Sequence, residues 1–137
     1  MRLLIWHVDS FLAEPTERGR SKIADAAPKA VSVCDGLVVF AACEKRDEPE
    51  PEAVAARATA AIVEVAQQLG ARTVVLHSFA HLFVELSTPQ VARQVLDRIQ
   101  AMLAEQGYAV EQSAFGWFNR LEIKAKGHPL SRVARQV

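Results

Sequence analysis

The fold class is decided by three successive pieces of the sequence: LVVFAAC at residues 37–43, PEAVAARATAAIVEVAQQLG at 51–70 and TVVLH at 73–77. The first and last pieces are short apolar runs rich in Val and Leu, which is typical of buried strands. Between them, apolar residues recur with a helical period from about Pro51 to Leu69, and Gly70 supplies a C-terminal cap. The many alanines of this helix permit close approach to a sheet. The stretch therefore predicts an α/β domain.

A second helix and further strands extend this unit in both directions. Thr88 as N-cap and Pro89 at the first helical position predict a helix that Gly107 ends. In the last predicted strand, apolar and charged residues alternate, so one of its faces is exposed to solvent. A strand exposed on one face is typical of antiparallel pairing, so the sheet is predicted to be partly antiparallel. The prediction is one α/β domain, residues 1–137, with a mixed sheet and two main helices. The predicted strands are Arg2–Val8, Leu37–Cys43, Thr73–His77, Tyr108–Gln112 and Phe118–Ala125.

Residues 9–36 lack a sustained period and are rich in charge and in turn-forming residues. We expect them to form a hairpin and a loop. A long irregular segment in a compact domain is more often functional than merely connective.

Composition limits the classes of protein that this chain can belong to. Half of its 137 residues are apolar, which is enough for a single core. No apolar run approaches the roughly 20 residues that span a bilayer, and the N-terminus lacks a signal-peptide layout, so a cytoplasmic location without membrane contact is expected. The cysteines, Cys34 and Cys43, are too few for a disulfide framework and belong to no paired metal motif, so reduced thiols are expected.

The net charge is zero, with 16 basic and 16 acidic residues, which does not fit a uniformly basic surface for long nucleic acid. Any contact with RNA must therefore be local. Positive charge does concentrate in two clusters, which are either solvated faces or RNA contacts. The first contains Arg18, Arg20, Lys22 and Lys29, and the second contains Arg120, Lys124, Lys126, Arg132 and Arg135.

Three segments are candidates for one functional pocket. The run 78–82 comes directly off an apolar strand, and a strand that ends in a turn presents unpaired backbone groups to a small ligand. The aromatic segment 115–119 and the turn 126–130 are the other two. Trp117 and Phe118 lie between a glycine and a strand edge, where aromatic faces can stack on a base.

Histidine spacing raises the question of a metal. His77, His81 and Glu85 stand four apart, as zinc ligands do on a helix, but the change from strand to turn at Ser78 breaks that alignment. We therefore expect no metal and no other cofactor. As a neutral imidazole, His81 either positions groups near a reacting ester or caps local backbone.

Four segments resemble the N-terminal editing domain of archaeal threonyl-tRNA synthetase. They are MRLLIWHVD at the start, VVFAACEKRDE at 38–48, SFAHLFVEL at 78–86 and FGWFNRLEIKAKGHPLSR at 115–132. Because they match in register along nearly the whole chain, the resemblance is specific. It implies a fold like that of D-aminoacyl-tRNA deacylases and a proofreading hydrolase that removes L-serine from mischarged threonine tRNA.

The resemblance also implies partners and site residues. The partners are the acceptor end of threonine tRNA, a second copy of the chain, and a threonyl-tRNA synthetase catalytic domain that is either separate or fused. His81 would position ribose or water. The substrate would contact Phe79, Ala80, Cys43, Phe118 and Asn119. From the residues themselves, RNA is expected to contact Trp117 and Arg120, and Lys126 either contacts a phosphate of the acceptor end or only belongs to a tight turn.

The chain departs from the family pattern at positions that bear on mechanism. Phe118 and Asn119 stand where tyrosine and lysine are usual, and Arg132 stands where many relatives carry glutamate. Phenylalanine cannot exchange a proton and asparagine is neither a base nor a cation. The sequence offers no activated nucleophile, and Cys43 is better interpreted as a wall of small volume. Hydrolysis assisted by the terminal 2′-hydroxyl of the tRNA is therefore the expected mechanism.

Other functions remain open at this stage. The missing tyrosine and lysine also fit a non-catalytic module that binds the tRNA acceptor end. A D-aminoacyl-tRNA deacylase would have the same fold and a different substrate. A metal hydrolase is the least favoured alternative.

Overall fold

In the computed structural model, residues 1–80 and 85–137 are described. Six strands, two helices and one short 3-10 helix are found in this part of the chain. In chain order they are β1 (Arg2–Arg18), β2 (Val31–Ala42), the 3-10 helix (Lys45–Asp47), α1 (Pro51–Leu69), β3 (Thr73–Ser78), α2 (Pro89–Glu105), β4 (Ala109–Gln112), β5 (Trp117–Ala125) and β6 (Arg132–Gln136).

The strands form one mixed sheet in the order β4-β3-β2-β1-β5, with β6 also paired to β1. The pairs β2–β3 and β3–β4 are parallel, whereas β1 runs antiparallel to β2, β5 and β6. The first half of β1 pairs with β6 and the second half with β5, so these two strands follow one another along the same partner. The predicted α/β domain with a partly antiparallel sheet is confirmed.

Both predicted helices are present, with the predicted ends. Helix α1 ends at Gly70, whose φ of +66° is the left-handed conformation that glycine adopts easily. At the start of α2, the Thr88 side chain accepts a hydrogen bond from the Val91 amide. The helices bury apolar residues against one face of the sheet, including Val54, Ile62, Val95, Ile99 and Leu103.

The hairpin and loop expected in residues 9–36 are confirmed, because β1 and β2 pair antiparallel and a loop joins them, but more of the segment is strand than its missing period suggested. Strand β1 continues to Arg18, and β2 already begins at Val31. The charged residues and Pro15 hid the strand, because Pro15 lies beside a register shift where a missing N–H is tolerated. Buried Phe11 and Ala13 alternate with less buried neighbours, which is the period-2 pattern of a strand.

Strand β6 was not predicted from the sequence, and the predicted ends of several strands move by one or two residues. Strand β3 includes Ser78, β4 begins at Ala109 and β5 begins at Trp117. No helix of the described residues is long and apolar enough to span a membrane.

The first and last residues of the chain lie side by side at the end of β1. The Met1 ammonium is fully buried and lies 2.7 Å from Asp47 Oδ1, and it donates to the Val137 carbonyl at 2.9 Å. Asp47 also accepts from the Glu44 amide through its other carboxylate oxygen. These contacts fix the Met1 side chain at the wall of a cavity described below.

Candidate functional site

Two neighbouring cavities lie where β2 and β3 end beside the start of β5. We call the first, of about 200 Å³, the apolar cavity; its walls include Met1, Ala41, Cys43, Leu96 and Phe115. We call the second, of about 270 Å³, the aromatic cavity; its walls include His77, Phe79, Trp117, Phe118 and Asn119. The two share wall residues, namely Ser21, Ser78, Ala80 and Gly116. One bent ligand could therefore occupy both cavities at once.

The apolar cavity is suited to a small group. Its volume lies below the range of about 300–1,000 Å³ that is typical of drug-sized sites. Cys43 is buried, and burial raises the pKa of its thiol to about 12. The thiol is therefore protonated at neutral pH, which makes Cys43 a wall residue and a poor nucleophile. Polar groups enter this cavity from Ser21, Ser78 and Ser87.

The aromatic cavity presents three aromatic side chains. Phe118 is 56% exposed, which is unusual for a large apolar side chain. The Trp117 ring is held in place because its Nε1–H donates to the Asp25 carbonyl at 2.8 Å. The Phe79 ring lies 5.4 Å from the ring of Phe40. A flat ring system entering this cavity could therefore stack on side chains that are already positioned.

Asn119 holds the local backbone at the edge of the aromatic cavity. Its Nδ2 donates to the Trp117 carbonyl at 3.0 Å, and its Oδ1 is buried without a partner among the described residues. The side chain carries no charge and titrates at no accessible pH. Asn119 can therefore shape this cavity, but it cannot supply a proton or a positive charge.

A short loop fixes the segment that separates the two cavities. Asp25 makes most of the contacts: its Oδ2 accepts from the Phe115 amide at 2.8 Å, its Oδ1 lies 2.7 Å from Arg93 Nη1, and its amide donates to the Phe115 carbonyl. Gly116 has φ of +76°, and a Cβ there would lie 2.7 Å from the Cβ of Ala24. The loop and the aromatic segment therefore form one tightly fitted unit.

Asp25, Arg93 and Ser21 were not predicted from the sequence. Asp25 and Ser21 lie in the segment that showed no period, and Arg93 is a charged residue on a helix. No local pattern links them, because their contacts are made across the chain. The only local signal was Gly116, placed between two aromatic residues at the start of a strand.

Of the two histidines considered as metal ligands or site residues, only His77 is described by the structure. His77 is buried and its Nδ1 lies 2.7 Å from the Ser113 hydroxyl. Burial lowers its pKa to about 4, so the ring is neutral under ordinary conditions. His81 lies outside the described residues. Among the residues that the structure does describe, no group of three or more His, Cys, Asp or Glu side chains could hold a metal ion.

The backbone at residues 79–80 offers fewer free hydrogen-bonding groups to a ligand than the sequence suggested. The Phe79 amide donates to the Ala41 carbonyl at 2.9 Å, so it is not available to a ligand. Ala80 is exposed and lines both cavities. Of these two residues, Ala80 is the better placed to meet a ligand through its backbone.

Arg120 and Lys126 line neither cavity within the described part of the chain. Arg120 forms an ion pair with Glu14, and Lys126 pairs with Asp9 at 3.1 Å and with Asp35 at 2.9 Å. The turn after Lys126 packs instead on the middle of β1. The structure thus brings together the segments 78–80 and 115–119 of the predicted pocket, but it places the turn 126–130 elsewhere.

Comparison with known proteins gives a consistent family. The archaea-specific editing domain of threonyl-tRNA synthetase matches residues 1–137. Threonine–tRNA ligases of Methanopyrus kandleri and Methanocaldococcus jannaschii are 43% and 38% identical over 139 and 138 residues. Each match covers 100% of this chain and 22% of the relative, so the chain spans about a fifth of their length.

A solved structure shows the same fold at low identity. It is titled c-Myc DNA Unwinding Element Binding Protein and matches with a TM-score of 0.67 at 12% identity, covering 100% of this chain and 99% of that chain. The likeness concerns the fold alone. At that level the likeness agrees with the predicted single α/β domain with a mixed sheet.

Proposed function

The chain belongs to the archaea-specific editing domain family of threonyl-tRNA synthetase, and on this premise we propose that it hydrolyses L-serine from mischarged threonine tRNA. The observation that carries the proposal is the pair of cavities with a common wall at Ser21, Ser78, Ala80 and Gly116. The apolar cavity would take the amino acid. The aromatic cavity would take the terminal adenosine, and the scissile ester would lie at the common wall.

The size of the apolar cavity supports discrimination between serine and threonine. A synthetic site that accepts threonine cannot fully exclude serine, because one methyl group changes binding by only about 1–3 kcal/mol. A second site that fits serine alone removes the error. In the proposed binding mode, the cavity-lining residues Cys43, Ala41 and Phe115 would clash with threonine's extra methyl.

The aromatic cavity supports binding of an unpaired base. Stacking of a base on an aromatic side chain contributes about 1–3 kcal/mol and tolerates any base. Phe118 is the most exposed of the three aromatic side chains, and Trp117 is the most firmly oriented. Phe118 replaces the tyrosine usual in the family, so stacking remains possible while proton exchange does not.

The side chains favour water rather than a protein nucleophile. The Cys43 thiol stays protonated, and His77 is occupied with Ser113. In the proposed reaction, water adds to the ester carbonyl carbon and the bond to the ribose oxygen breaks. The water proton ends on that oxygen, and serine and the free 3′ end leave. The neighbouring 2′-hydroxyl orients the water, and His81 is the candidate to position ribose or water.

The test is deacylation of threonine tRNA charged with L-serine or L-threonine, each with a native or 2′-deoxy terminal adenosine. We expect rapid loss of L-serine only, and strong slowing with the deoxy substrate. Binding without loss of serine would leave a non-catalytic acceptor-end module, the alternative that Phe118 and Asn119 favour. Faster cleavage of a D-aminoacyl ester would identify a D-aminoacyl-tRNA deacylase instead.

The proposal extends to the partners. A homodimer, contact with the threonine tRNA acceptor end, and association with a synthetase catalytic domain are all expected from the family. A cytoplasmic location goes with them. Sedimentation of the chain alone and with tRNA would measure the first two.

A further inference from the structure

The two basic clusters of the sequence differ sharply in their surroundings. In the second cluster, Arg120 and Lys126 are ion-paired, and Lys124 lies 3.8 Å from Asp9. In the first, Arg18, Arg20, Lys22 and Lys29 are all exposed, and their side chains make no hydrogen bond or ion pair with any residue that the structure describes. No cation of the first cluster is ion-paired with a described residue, whereas three of the five cations of the second cluster are; Arg132 and Arg135 lack a carboxylate partner but line neither cavity.

The first cluster also lies next to the site. Arg20 lines the aromatic cavity itself. Arg18 is paired in register with Trp117 across β1 and β5, and Lys22 follows Ser21, which lines both cavities. Arg20 therefore lies in the wall of the cavity that holds the aromatic side chains, and Arg18 and Lys22 lie next to residues of that wall.

The loop that carries these cations is held in place. The Gly19 amide donates to the Gly116 carbonyl at 2.8 Å, and Asp25 fixes the other end of the turn through Phe115 and Trp117. Contacts between charges on a fixed loop and a flexible strand lose less ordering entropy than contacts from a mobile loop. The arrangement suits a polyanion that passes the loop on its way into the cavity.

We propose that Arg18, Arg20 and Lys22 bind the backbone phosphates of the single-stranded 3′ end of an RNA whose last base enters the aromatic cavity. The inference rests on the proposed function and adds the phosphate path to it. Phosphate contacts position a nucleic acid without reading its sequence. The role of these three residues is therefore to bring any tRNA end to the cavity, while the apolar cavity selects the amino acid.

The experiment compares two substrates that differ in phosphate. One is seryl-tRNA for threonine, and the other is the seryl ester of adenosine, which has no phosphate. In the variant Arg18→Gln with Lys22→Gln, whose changed residues line neither cavity, we expect KM for the tRNA to rise about tenfold or more with kcat little changed. The slope of log(kcat/KM) against log[salt] should become shallower by about 1.4, which is the value expected for the loss of two phosphate contacts to a single strand. Hydrolysis of the adenosine ester should stay at the wild-type rate.

A matched control removes two exposed cations elsewhere. Arg57 and Arg72 are exposed, lie outside both cavities and have no ionic partner among the described residues. The double variant Arg57→Gln with Arg72→Gln should keep the wild-type KM and salt slope. The single variant Arg120→Gln compares the two clusters directly. A larger rise in KM for Arg120→Gln than for Arg18→Gln would overturn the proposal.

Other outcomes are equally decisive. If the variants lost the same fraction of kcat/KM on both substrates, the loop would act only by shaping the cavity. An unchanged KM for the tRNA would contradict the proposed phosphate contacts. If the wild-type chain hydrolyses neither substrate, the proposed function fails. Binding of uncharged threonine tRNA, measured over a range of salt, then still tests the phosphate path, since the same variants must weaken it.

Discussion

Cys43 shows how a single side chain limits the chemistry of the site. It is 6% exposed, and with the pKa raised to about 12 by burial its thiolate fraction at pH 8 is roughly one in ten thousand. We expect iodoacetamide to modify the exposed Cys34 in the folded chain and Cys43 only after unfolding. Mass spectrometry of tryptic peptides measures both. Rapid native labelling of Cys43 would contradict the wall role.

Replacing Cys43 with a smaller residue tests its part in selectivity. Cys43→Ala enlarges the apolar cavity, so threonine's methyl should fit better. We expect hydrolysis of L-serine to continue and discrimination against L-threonine to fall about tenfold, within the range for a methyl-sized group. The ratio of kcat/KM for the two charged tRNAs measures this. Loss of all hydrolysis in Cys43→Ala would indicate a nucleophile instead.

Gly116 is required by its backbone conformation and by its neighbour. An alanine there would be strained at φ of +76°, and its Cβ would lie 2.7 Å from the Cβ of Ala24. We expect Gly116→Ala to lower the free energy of unfolding by about 1–3 kcal/mol and to impair hydrolysis, because Gly116 lines both cavities. Gly127→Ala is the matched control, since a Cβ there meets no atom within 4 Å. It should change stability by less than about 0.5 kcal/mol.

Among the elements, Asp25 couples the loop after β1 to helix α2 and to the start of β5. Asp25→Ala would leave the Phe115 amide without its acceptor and Arg93 without its nearer carboxylate. We expect a loss of about 1–3 kcal/mol in urea unfolding. A change in Trp117 fluorescence should accompany it, because that ring is bonded to the Asp25 carbonyl.

Two further variants separate the contributions at Asp25. Asp25→Asn keeps an acceptor for the Phe115 amide, so its free energy of unfolding should fall less than that of Asp25→Ala. Asp97→Ala removes the other carboxylate beside Arg93, and the Asp97 side chain is half exposed. An exposed ion pair contributes at most about 1 kcal/mol, so this variant should stay close to wild type. Equal losses for Asp25→Ala and Asp97→Ala would contradict the coupling.

The elements also show what could be predicted from the sequence. Helices α1 and α2 were predicted with their ends because Gly70, Thr88 and Pro89 act locally, through their own backbone and side chains. The second half of β1 was missed because its charged residues and Pro15 hide the strand period, and because one of its two partner strands, β5, is distant in the sequence. Cys43 and Phe118 were singled out because they stand near strand ends, and they do line the two cavities, but their roles as site residues stay predictions. Asp25 could not be found, since its role exists only after the loop has folded onto Phe115.

For the whole molecule, the surface area supports experiments on this chain alone. Its accessible surface of 7245 Å² is close to the roughly 7,000 Å² expected of a compact monomer of its 15.0 kDa mass. The relatives are several times longer, yet the described core and the walls of both cavities are packed within these residues. Urea unfolding at several chain concentrations would separate the stability of this chain from that of the expected homodimer.

The stability of the whole molecule should depend on pH through His77. Burial lowers its pKa to about 4 in the folded chain, against 6.5 for the ordinary group. Above pH 6.5 the ring is neutral in both states and has no effect on the pH dependence. Between pH 6.5 and 4 the unfolded chain binds a proton that the folded chain does not, so stability falls as the pH falls. Below about pH 4 the ring is protonated in both the folded and the unfolded chain, so His77 causes no further loss of stability.

The variant His77→Gln isolates this effect, because glutamine can still bond to the Ser113 hydroxyl that His77 contacts. Glu44 and Asp35, whose carboxyl pKa values are lowered, remain in both proteins and cancel in the comparison. From urea unfolding between pH 8 and pH 4, we expect wild type to lose on the order of 3 kcal/mol more than the variant. Parallel stability profiles, or an NMR titration of His77 near pH 6.5, would contradict burial of a neutral ring. A steeper wild-type profile would show that His77, at the end of β3 beside the proposed ester site, stays neutral in the folded molecule until the pH approaches about 4.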